Sequence, residues 1–218
     1  MSAVVIGASG GIGGALADAL EEEGEAVVRL SRPELDLLDE ATIFAAAERV
    51  RSPSLVVVAT GLLHEGEHGP ERAIRELDAA WLARQYAVNA IGPALVAKHF
   101  LPVMPKTGKS IFAVLSARVG SISDNKLGGW YGYRASKAAL NQLVRTLAIE
   151  DKHRNDRGVV VALHPGTVDT RLSKPFQSSG RDLFQPDRAA VQLLDVLDGL
   201  KPQDSGKLFG WDGAEIVP

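Results

Sequence analysis

A glycine-rich stretch directly behind a short apolar segment most constrains how this chain can fold. Residues 3–6 are apolar and mostly β-branched, which is typical of a buried parallel strand. Glycines follow at positions 7, 11 and 13, and a helix-forming run begins at residue 12. Glycine permits a tight turn and lets the backbone approach a ligand closely. The free N–H groups at the start of the following helix then suit a diphosphate group.

The rest of the chain alternates between apolar strands and helices. We predict further strands at 26–30, 55–59, 110–115, 159–163 and 207–211. We predict helices at 12–23, 39–51, 70–104, from Tyr133 to about residue 152, and 186–200, with a break at Gly92 and Pro93. This alternation indicates an α/β fold, a doubly wound parallel sheet of the Rossmann type with helices on both faces. The length of 218 residues fits one domain over residues 1–218.

Charge and cysteine content exclude several classes of function. The chain has 24 basic and 27 acidic residues, so nothing indicates a nucleic-acid or anionic-membrane partner. It has no cysteine, which excludes disulfides and thiolate metal sites and fits a reducing, cytoplasmic location. No apolar run approaches the roughly 18 residues of a membrane span. The first strand begins at residue 3, so we expect no signal or transit peptide.

One pair of residues has the spacing of an acid–base pair. Tyr133 and Lys137 lie four residues apart in a helical run and therefore share one face. A phenol has a pKa near ~10, but an ammonium group one turn away favours the phenolate and lowers that pKa. The pair can then act as a general acid or base. The alternative is an aromatic core residue beside a solvated lysine. Tyr131 lies off this face and is interpreted as structural.

The segment His64-Glu-Gly-Glu-His68 matches the zinc-protease motif H-E-x-x-H by letter. That motif binds zinc only on a helix and with a third ligand. Gly66 lies inside the segment, and Gly69 and Pro70 follow it, so a stable helix is not expected. We predict an exposed loop and no metal site.

Four motifs together resemble the short-chain dehydrogenase/reductase family in order and spacing, from residue 3 to residue 170. They are Gly7-Ala-Ser-Gly-Gly-Ile-Gly13, Val88-Asn89-Ala-Ile-Gly92, Tyr133-Arg-Ala-Ser-Lys137 and Pro165-Gly166-Thr-Val-Asp-Thr170. The loops around Ser116 and Gly128 resemble the branch that includes the signalling protein C-factor and small carbonyl reductases. The resemblance implies hydride transfer between NADP(H) and a small carbonyl or alcohol substrate. The alternative is a dinucleotide-binding signalling or regulatory protein with little turnover.

The resemblance also implies the catalytic residues. Tyr133 would exchange the proton, Lys137 would lower its pKa and bind the nicotinamide ribose, and Asn89 would bend its helix and hold a water in a proton relay. The family places a serine at the end of the strand before the tyrosine helix, commonly as the second residue of a Ser-Ser pair. Here the pair is Ser116-Ala117, and Ser121 is a weaker substitute. Either Ser116 turns inward, which we favour, or the enzyme is slow and relies on Tyr133 alone.

The cofactor contacts follow from the same motifs. Arg32, at the end of the second strand, favours the 2′-phosphate of NADP(H), whereas the neighbouring Glu34 keeps NAD(H) as the alternative. Asp36 and Leu37 would contact the adenine, although Asp36 is otherwise a turn cap. The usual Asn-Asn-Ala-Gly is replaced by Val58-Ala-Thr-Gly61. The predicted contacts are Gly7, Ser9, Gly11, Ile12, Gly13, Ser31, Arg32, Asp36, Leu37, Ala59, Thr60, Gly61, Tyr133, Lys137, Pro165, Gly166, Val168 and Thr170.

The sequence predicts a lid but identifies neither the substrate nor the oligomeric state. Residues 167–180 are expected to form a mobile lid over the substrate, but fold and cofactor motifs do not shape the substrate pocket itself. The substrate is therefore not identified. Homo-oligomerisation is also left open, because the outer faces of the long helices suit either a core or an interface.

Overall fold

A computed structural model describes residues 2–176 and 183–217. The described residues form a six-stranded sheet whose neighbouring strands are all parallel. The strands are β1 (Ser2–Ile6), β2 (Ala26–Leu30), β3 (Leu55–Val58), β4 (Ser110–Leu115), β5 (Gly158–His164) and β6 (Leu208–Gly210). Their order across the sheet is β2-β1-β3-β4-β5-β6. The predicted doubly wound parallel sheet is confirmed, and its strands lie where the apolar runs placed them.

Helices cover both faces of this sheet because successive strand side chains point to opposite sides. The helices are α1 (Gly11–Glu22), α2 (Glu40–Glu48), α3 (Ala79–Tyr86), α4 (Gly92–Phe100), α5 (Tyr131–Arg154) and α6 (Pro186–Gly199). Val4 and Ile6 of β1 point to the layer that contains α2, α4 and α5. Ala3 and Val5 of the same strand point to α1 and α6. None of the helices in the described part of the chain is long and apolar enough to cross a membrane.

The helical pattern predicted from 70 to 104 is divided in the structure. A π-helical turn (Ala87–Ile91) separates α3 from α4, and Pro93 stands in the first turn of α4. A proline lacks the N–H that would bond to the carbonyl of residue 89, and its ring would clash there. The chain accommodates this with the wider turn, and such single π turns are frequent at functional sites. The predicted break is therefore observed, one turn earlier than Gly92.

The chain reverses direction across the sheet at β1. It passes from β1 to β2 on one side and then returns to β3 on the other side of β1. The helices that follow β1 and β3 therefore diverge, and a crevice opens at the carboxyl ends of these two strands. Ligands bind at such a position in open α/β sheets. The predicted glycine turn and the predicted Ala59, Thr60 and Gly61 meet there.

Candidate active site

A cleft of about 540 Å³ lies at the carboxyl ends of the strands. It is bordered by the turn after β1, by the segments after β2, β3 and β4, by α5 and by the segment after β5. The predicted site residues that line it are Gly7, Ser9, Gly11, Ile12, Ser31, Arg32, Asp36, Leu37, Ala59, Thr60, Gly61, Ser116, Tyr133, Lys137, Pro165 and Thr170. Four predicted residues do not line it: Gly13, Asn89, Gly166 and Val168. Most of the predicted site residues therefore converge on this one cleft.

The glycine turn is shaped by close backbone contacts. Gly7 has a φ of +88°, and a Cβ atom built on it would lie 2.8 Å from the carbonyl oxygen of Ala59. A Cβ at Gly13 would lie 2.3 Å from the carbonyl oxygen of Gly7. Gly13 thus serves the contact between helix and turn rather than the cleft. The first N–H groups of α1 have no partner within the helix, and Gly11 and Ile12 border the cleft. The turn therefore fits the diphosphate of a dinucleotide.

The outer end of the cleft, beyond β2, contains the residues predicted to select the cofactor. Ser31 accepts a hydrogen bond from the N–H of Ser9 at 2.9 Å, so it braces the glycine turn and keeps its own O–H proton for a ligand. Arg32 is exposed on the cleft wall. The Asp36 carboxylate accepts from the N–H of Leu38 at 3.0 Å, which is the turn-capping role left open from the sequence.

Sequence reasoning missed an ion pair at this outer end. Arg84 on α3 binds the carboxylate of Glu65 through Nε at 3.0 Å and through a terminal nitrogen at 2.8 Å. Both residues border the cleft, and the charge of Arg32 also helps to lower the pKa of Glu65, after the hydrogen bond from Arg84. The two partners are nineteen positions apart, so no local pattern could have paired them.

Tyr133 and Lys137 are both buried at the inner end of the cleft, with 8% and 2% of their surfaces exposed. The Lys137 ammonium nitrogen lies 5.8 Å from the centre of the Tyr133 ring and donates to the carbonyl oxygen of Leu115 at 2.8 Å. Burial raises the pKa of Tyr133 to about 12 and lowers the pKa of Lys137 to about 7. The pKa of Tyr133 is therefore raised by the loss of water, and not lowered by Lys137 as the sequence predicts.

Asn89 connects this pair to the end of β3. The π turn directs its side chain so that Oδ1 accepts from the N–H of Leu62 at 2.7 Å, while Nδ2 donates to the carbonyl of Leu62 at 2.8 Å. Nδ2 also donates to the Ser136 hydroxyl at 3.1 Å. A Cβ atom at Gly61 would lie 3.9 Å from both Asn89 Oδ1 and Lys137 Nζ. Asn89 thus fixes the backbone after β3 against α5, next to Lys137.

Ser116 does not point towards Tyr133. Its hydroxyl donates to Asn141 Oδ1 at 2.7 Å, and the residue is only 4% exposed. Ala117 instead packs against Tyr133. The N–H of Ser116 still donates to the carbonyl of Leu163, so the strand pairing extends past Leu115 and side chains keep alternating. The inward Ser116 that we favoured from the sequence is therefore not the arrangement observed.

The weaker candidate, Ser121, is also committed elsewhere. Its hydroxyl donates to the carbonyl oxygen of Val217, and the residue is 1% exposed. The position beside Tyr133 where the family resemblance expects a hydroxyl is consequently held by the methyl group of Ala117.

Aromatic rings border the space beyond Tyr133. The Trp130 ring lies 6.2 Å from the Tyr133 ring and 5.6 Å from the Phe176 ring, and the Phe176 ring lies 5.6 Å from His64. Leu63, Ala117 and Leu172 complete an apolar wall. Of the predicted lid, Leu172 and Phe176 pack in this region, whereas residues 177–180 lie outside the described residues.

The segment from His64 to His68 is a turn, as predicted, and its side chains face different partners. Glu65 and His68 form an isolated antiparallel bridge. His64 contacts the carbonyl of Arg171 at 3.2 Å, while the His68 ring stacks on Trp81 at 5.2 Å. Within residues 2–176 and 183–217, no group of three histidine or acidic side chains is arranged to hold a metal ion.

The lowered pKa of Lys137 predicts a pH dependence of stability. Between about pH 7 and the usual lysine value of 10.5, the unfolded chain keeps a proton that the folded protein has lost. Stability should therefore rise with pH in this window, by up to about 1.4 kcal/mol per pH unit. A Lys137→Met variant should lack this rise. Urea unfolding of both proteins from about pH 7 to about pH 9 measures it, and identical slopes would contradict the burial effect.

The chain is similar in sequence and in fold to several known proteins. Residues 34–194 match a family model described as enoyl-(acyl carrier protein) reductase. The chain is 37% identical over 145 residues to the C-signal protein of Myxococcus xanthus, covering 66% of this chain and 82% of that protein. It is 29% identical to 1-hydroxy-2-glutathionyl-2-methyl-3-butene dehydrogenase of Rhodococcus sp. (strain AD45), covering 96% of both. The NADPH-bound carbonyl reductase from chicken fatty liver has the same fold, with a TM-score of 0.84, 24% identity, and 100% and 98% of the two chains covered.

Proposed function

The chain belongs to the short-chain dehydrogenase/reductase family, a group of dinucleotide-dependent oxidoreductases, and we propose that it catalyses reversible hydride transfer between NADP(H) and a small carbonyl or alcohol. The observation that carries this proposal is the buried Tyr133–Lys137 pair at the inner end of the cleft. A phenol and an amine both lose favourable hydration when they are buried, so burying the two side by side is costly. Perturbed pKa values in a cleft are typical of catalytic groups.

Each residue has a defined task in the reductive direction. A bound nicotinamide supplies the hydride. Tyr133 donates its phenolic proton to the substrate oxygen as the carbon–oxygen double bond becomes a single bond. Lys137, beside the ring, stabilises the phenolate that remains and is placed to bind the nicotinamide ribose. Asn89 binds the backbone of Leu62 and the hydroxyl of Ser136. It thereby keeps Lys137 in a fixed position relative to the end of β3.

The preference for NADP(H) rests on Arg32. Its guanidinium stands at the outer end of the cleft, where a doubly wound fold binds the adenosine ribose. An arginine can form a paired, charge-assisted contact with a 2′-phosphate. The carbonyl reductase of similar fold binds NADPH, which agrees with this preference.

A second candidate function is a dinucleotide-binding signalling or regulatory protein with little turnover. The observation that favours it is Ala117, whose methyl group packs against Tyr133 at the position where the family resemblance expects a hydroxyl. The similarity to the C-signal protein agrees with it. Steady-state turnover of NADPH with a panel of aldehydes, ketones and quinones separates the two candidates. Tight cofactor binding without turnover on any carbonyl would favour the second.

Replacement of Tyr133 by phenylalanine tests the proton donor. We expect Tyr133→Phe to lose about 10²–10⁴-fold in kcat, because the substrate oxygen loses its positioned acid. Tyr131→Phe is the matched control, since Tyr131 is on the same helical turn but exposed. Its kcat should stay close to that of the unmodified protein. Equal activities of the two variants would contradict the assignment.

Replacement of Arg32 tests the cofactor preference. Arg32→Asp should reverse the preference from NADPH to NADH, because the new carboxylate repels a 2′-phosphate and can bind a ribose hydroxyl. Arg51→Asp makes the same charge change at an exposed position before β3, away from the cleft, and should leave the preference unchanged. Dissociation constants for both cofactors measure the effect. Equal constants for NADPH and NADH in the unmodified protein would refute the role of Arg32.

The pair Ser116 and Ala117 tests the missing donor. Ser116→Ala should change kcat by less than about threefold, since its hydroxyl is bound to Asn141. Ala117→Ser should raise kcat by about tenfold, because one positioned donor to a developing oxyanion is worth about 10²–10³-fold in well-studied enzymes. Measuring kcat on one accepted carbonyl decides the matter. A large loss in Ser116→Ala with no gain in Ala117→Ser would restore Ser116 as the donor.

A further inference from the structure

Glu71 is a buried carboxylate that the mechanism above does not use. It lies in the segment before α3, and only 3% of its surface is exposed. One carboxylate oxygen accepts from Gln85 Nε2 at 3.1 Å, and the other accepts from the backbone N–H of Gly132 at 3.1 Å. Burying a charge of this kind is costly unless it is paired or hydrogen-bonded. Both of its oxygens meet donors that belong to other elements, and one of these donors starts the helix that carries Tyr133.

The first turn of α5 has no side-chain cap of its own. Its N-cap residue is Trp130, whose side chain makes no capping bond and whose φ of +53° lies in the left-handed region. Such a backbone costs energy for a bulky residue and persists only where the surroundings enforce it. The carbonyl oxygen of Glu71 accepts the Trp130 N–H, and its carboxylate accepts the Gly132 N–H. Glu71 therefore caps α5 from a distant part of the chain.

The contact between α3 and α5 leaves this first turn little freedom. A Cβ atom at Gly132 would lie 2.3 Å from Gln85 Nε2 and 2.9 Å from Leu82 Cδ2. Gln85 is fully buried and is bound through the same nitrogen to Glu71. Gly132 allows α3 and α5 to approach closely, and the Glu71 carboxylate accepts a hydrogen bond from each of the two helices. A carboxylate at a helix N-terminus is also favoured by the helix dipole.

We propose that Glu71 is a positioning residue that sets the first turn of α5 and thereby places both Tyr133 and the ring of Trp130. Tyr133 follows Gly132 directly in the chain, and Trp130 packs edge-on against Tyr133 and Phe176. A small shift of this turn displaces the proton donor and the wall of the substrate space together. The catalytic part of this inference rests on the function proposed above.

The kinetic test compares Glu71→Ala with a change at the opposite end of the same helix. Asn155 is the C-cap residue of α5, and its buried amide donates to Pro105, Gly108 and Ser110. Asn155→Ala is therefore a matched structural control. We expect Glu71→Ala to lose about tenfold or more in kcat, since small misplacements of reacting groups have large costs. The dissociation constant for NADPH should stay within about twofold. Asn155→Ala should lower the melting temperature but keep kcat within about twofold.

A conservative variant should rescue the effect. The amide oxygen of Glu71→Gln can still accept from the Gly132 N–H, so this variant should recover most of the lost kcat. If Glu71→Ala does not fold, Glu71→Asp takes its place, because the shorter side chain draws the carboxylate back from Gly132 and should lower kcat while leaving NADPH affinity unchanged. A kcat within about twofold of the unmodified protein in Glu71→Ala or Glu71→Asp would overturn the proposal. So would an equal loss in Asn155→Ala.

Hydrogen exchange provides a readout that does not need activity. In Glu71→Ala or Glu71→Asp, the amides of residues 130–134 should exchange at least about tenfold faster, while those of residues 151–154 should be unchanged. Unchanged exchange at residues 130–134 would refute the capping role. If the unmodified protein turns over no carbonyl at all, the proposed function fails, and the exchange measurement alone still decides whether Glu71 sets this turn.

Discussion

The candidate site depends on burying a phenol and an amine side by side. Loss of water disfavours the charged form of each group, and the opposite pKa shifts of Tyr133 and Lys137 express this single cause. The sheet compensates Lys137 through the carbonyl oxygen of Leu115, the last residue of β4. That carbonyl lies at the carboxyl end of β4, where the sheet borders the cleft. The edge of the sheet therefore supplies the hydrogen bond that makes a buried lysine tolerable.

Two asparagine side chains and one carboxylate connect the elements around this pair. Asn89 ties the end of β3 to α5, Asn141 binds the hydroxyl of Ser116, and Glu71 caps the start of α5. Each of these bonds links parts of the chain more than twenty positions apart. Buried polar groups of this kind stabilise one arrangement because leaving any of them unpaired is costly. Buried hydrogen bonds thus hold Tyr133 and Lys137 in place, whereas the space beyond them is bordered by apolar and aromatic side chains.

Ala117 separates this chain from the pattern that its family resemblance predicts. The methyl group of Ala117 packs against Tyr133, and the hydroxyls of Ser116 and Ser121 are bound to Asn141 and to the carbonyl oxygen of Val217. In the proposed reaction, stabilisation of negative charge on the substrate oxygen then falls on Tyr133 and on the neighbouring Lys137.

The sequence by itself determined the fold class and most of the cleft. Apolar strands of three to seven residues, glycines where the backbone must pass closely, and a tyrosine and lysine on one helical face are local properties. They predicted the sheet, the turn at Gly7 and the position of α5. Tertiary structure alone decided the direction of Ser116, the ion pair of Glu65 and Arg84, and the cap that Glu71 provides. Strand pairing beyond Leu115 turned Ser116 towards Asn141, and burial reversed the expected pKa shift of Tyr133. These outcomes depend on which distant groups meet and how much water they lose, and no spacing along the chain records either quantity.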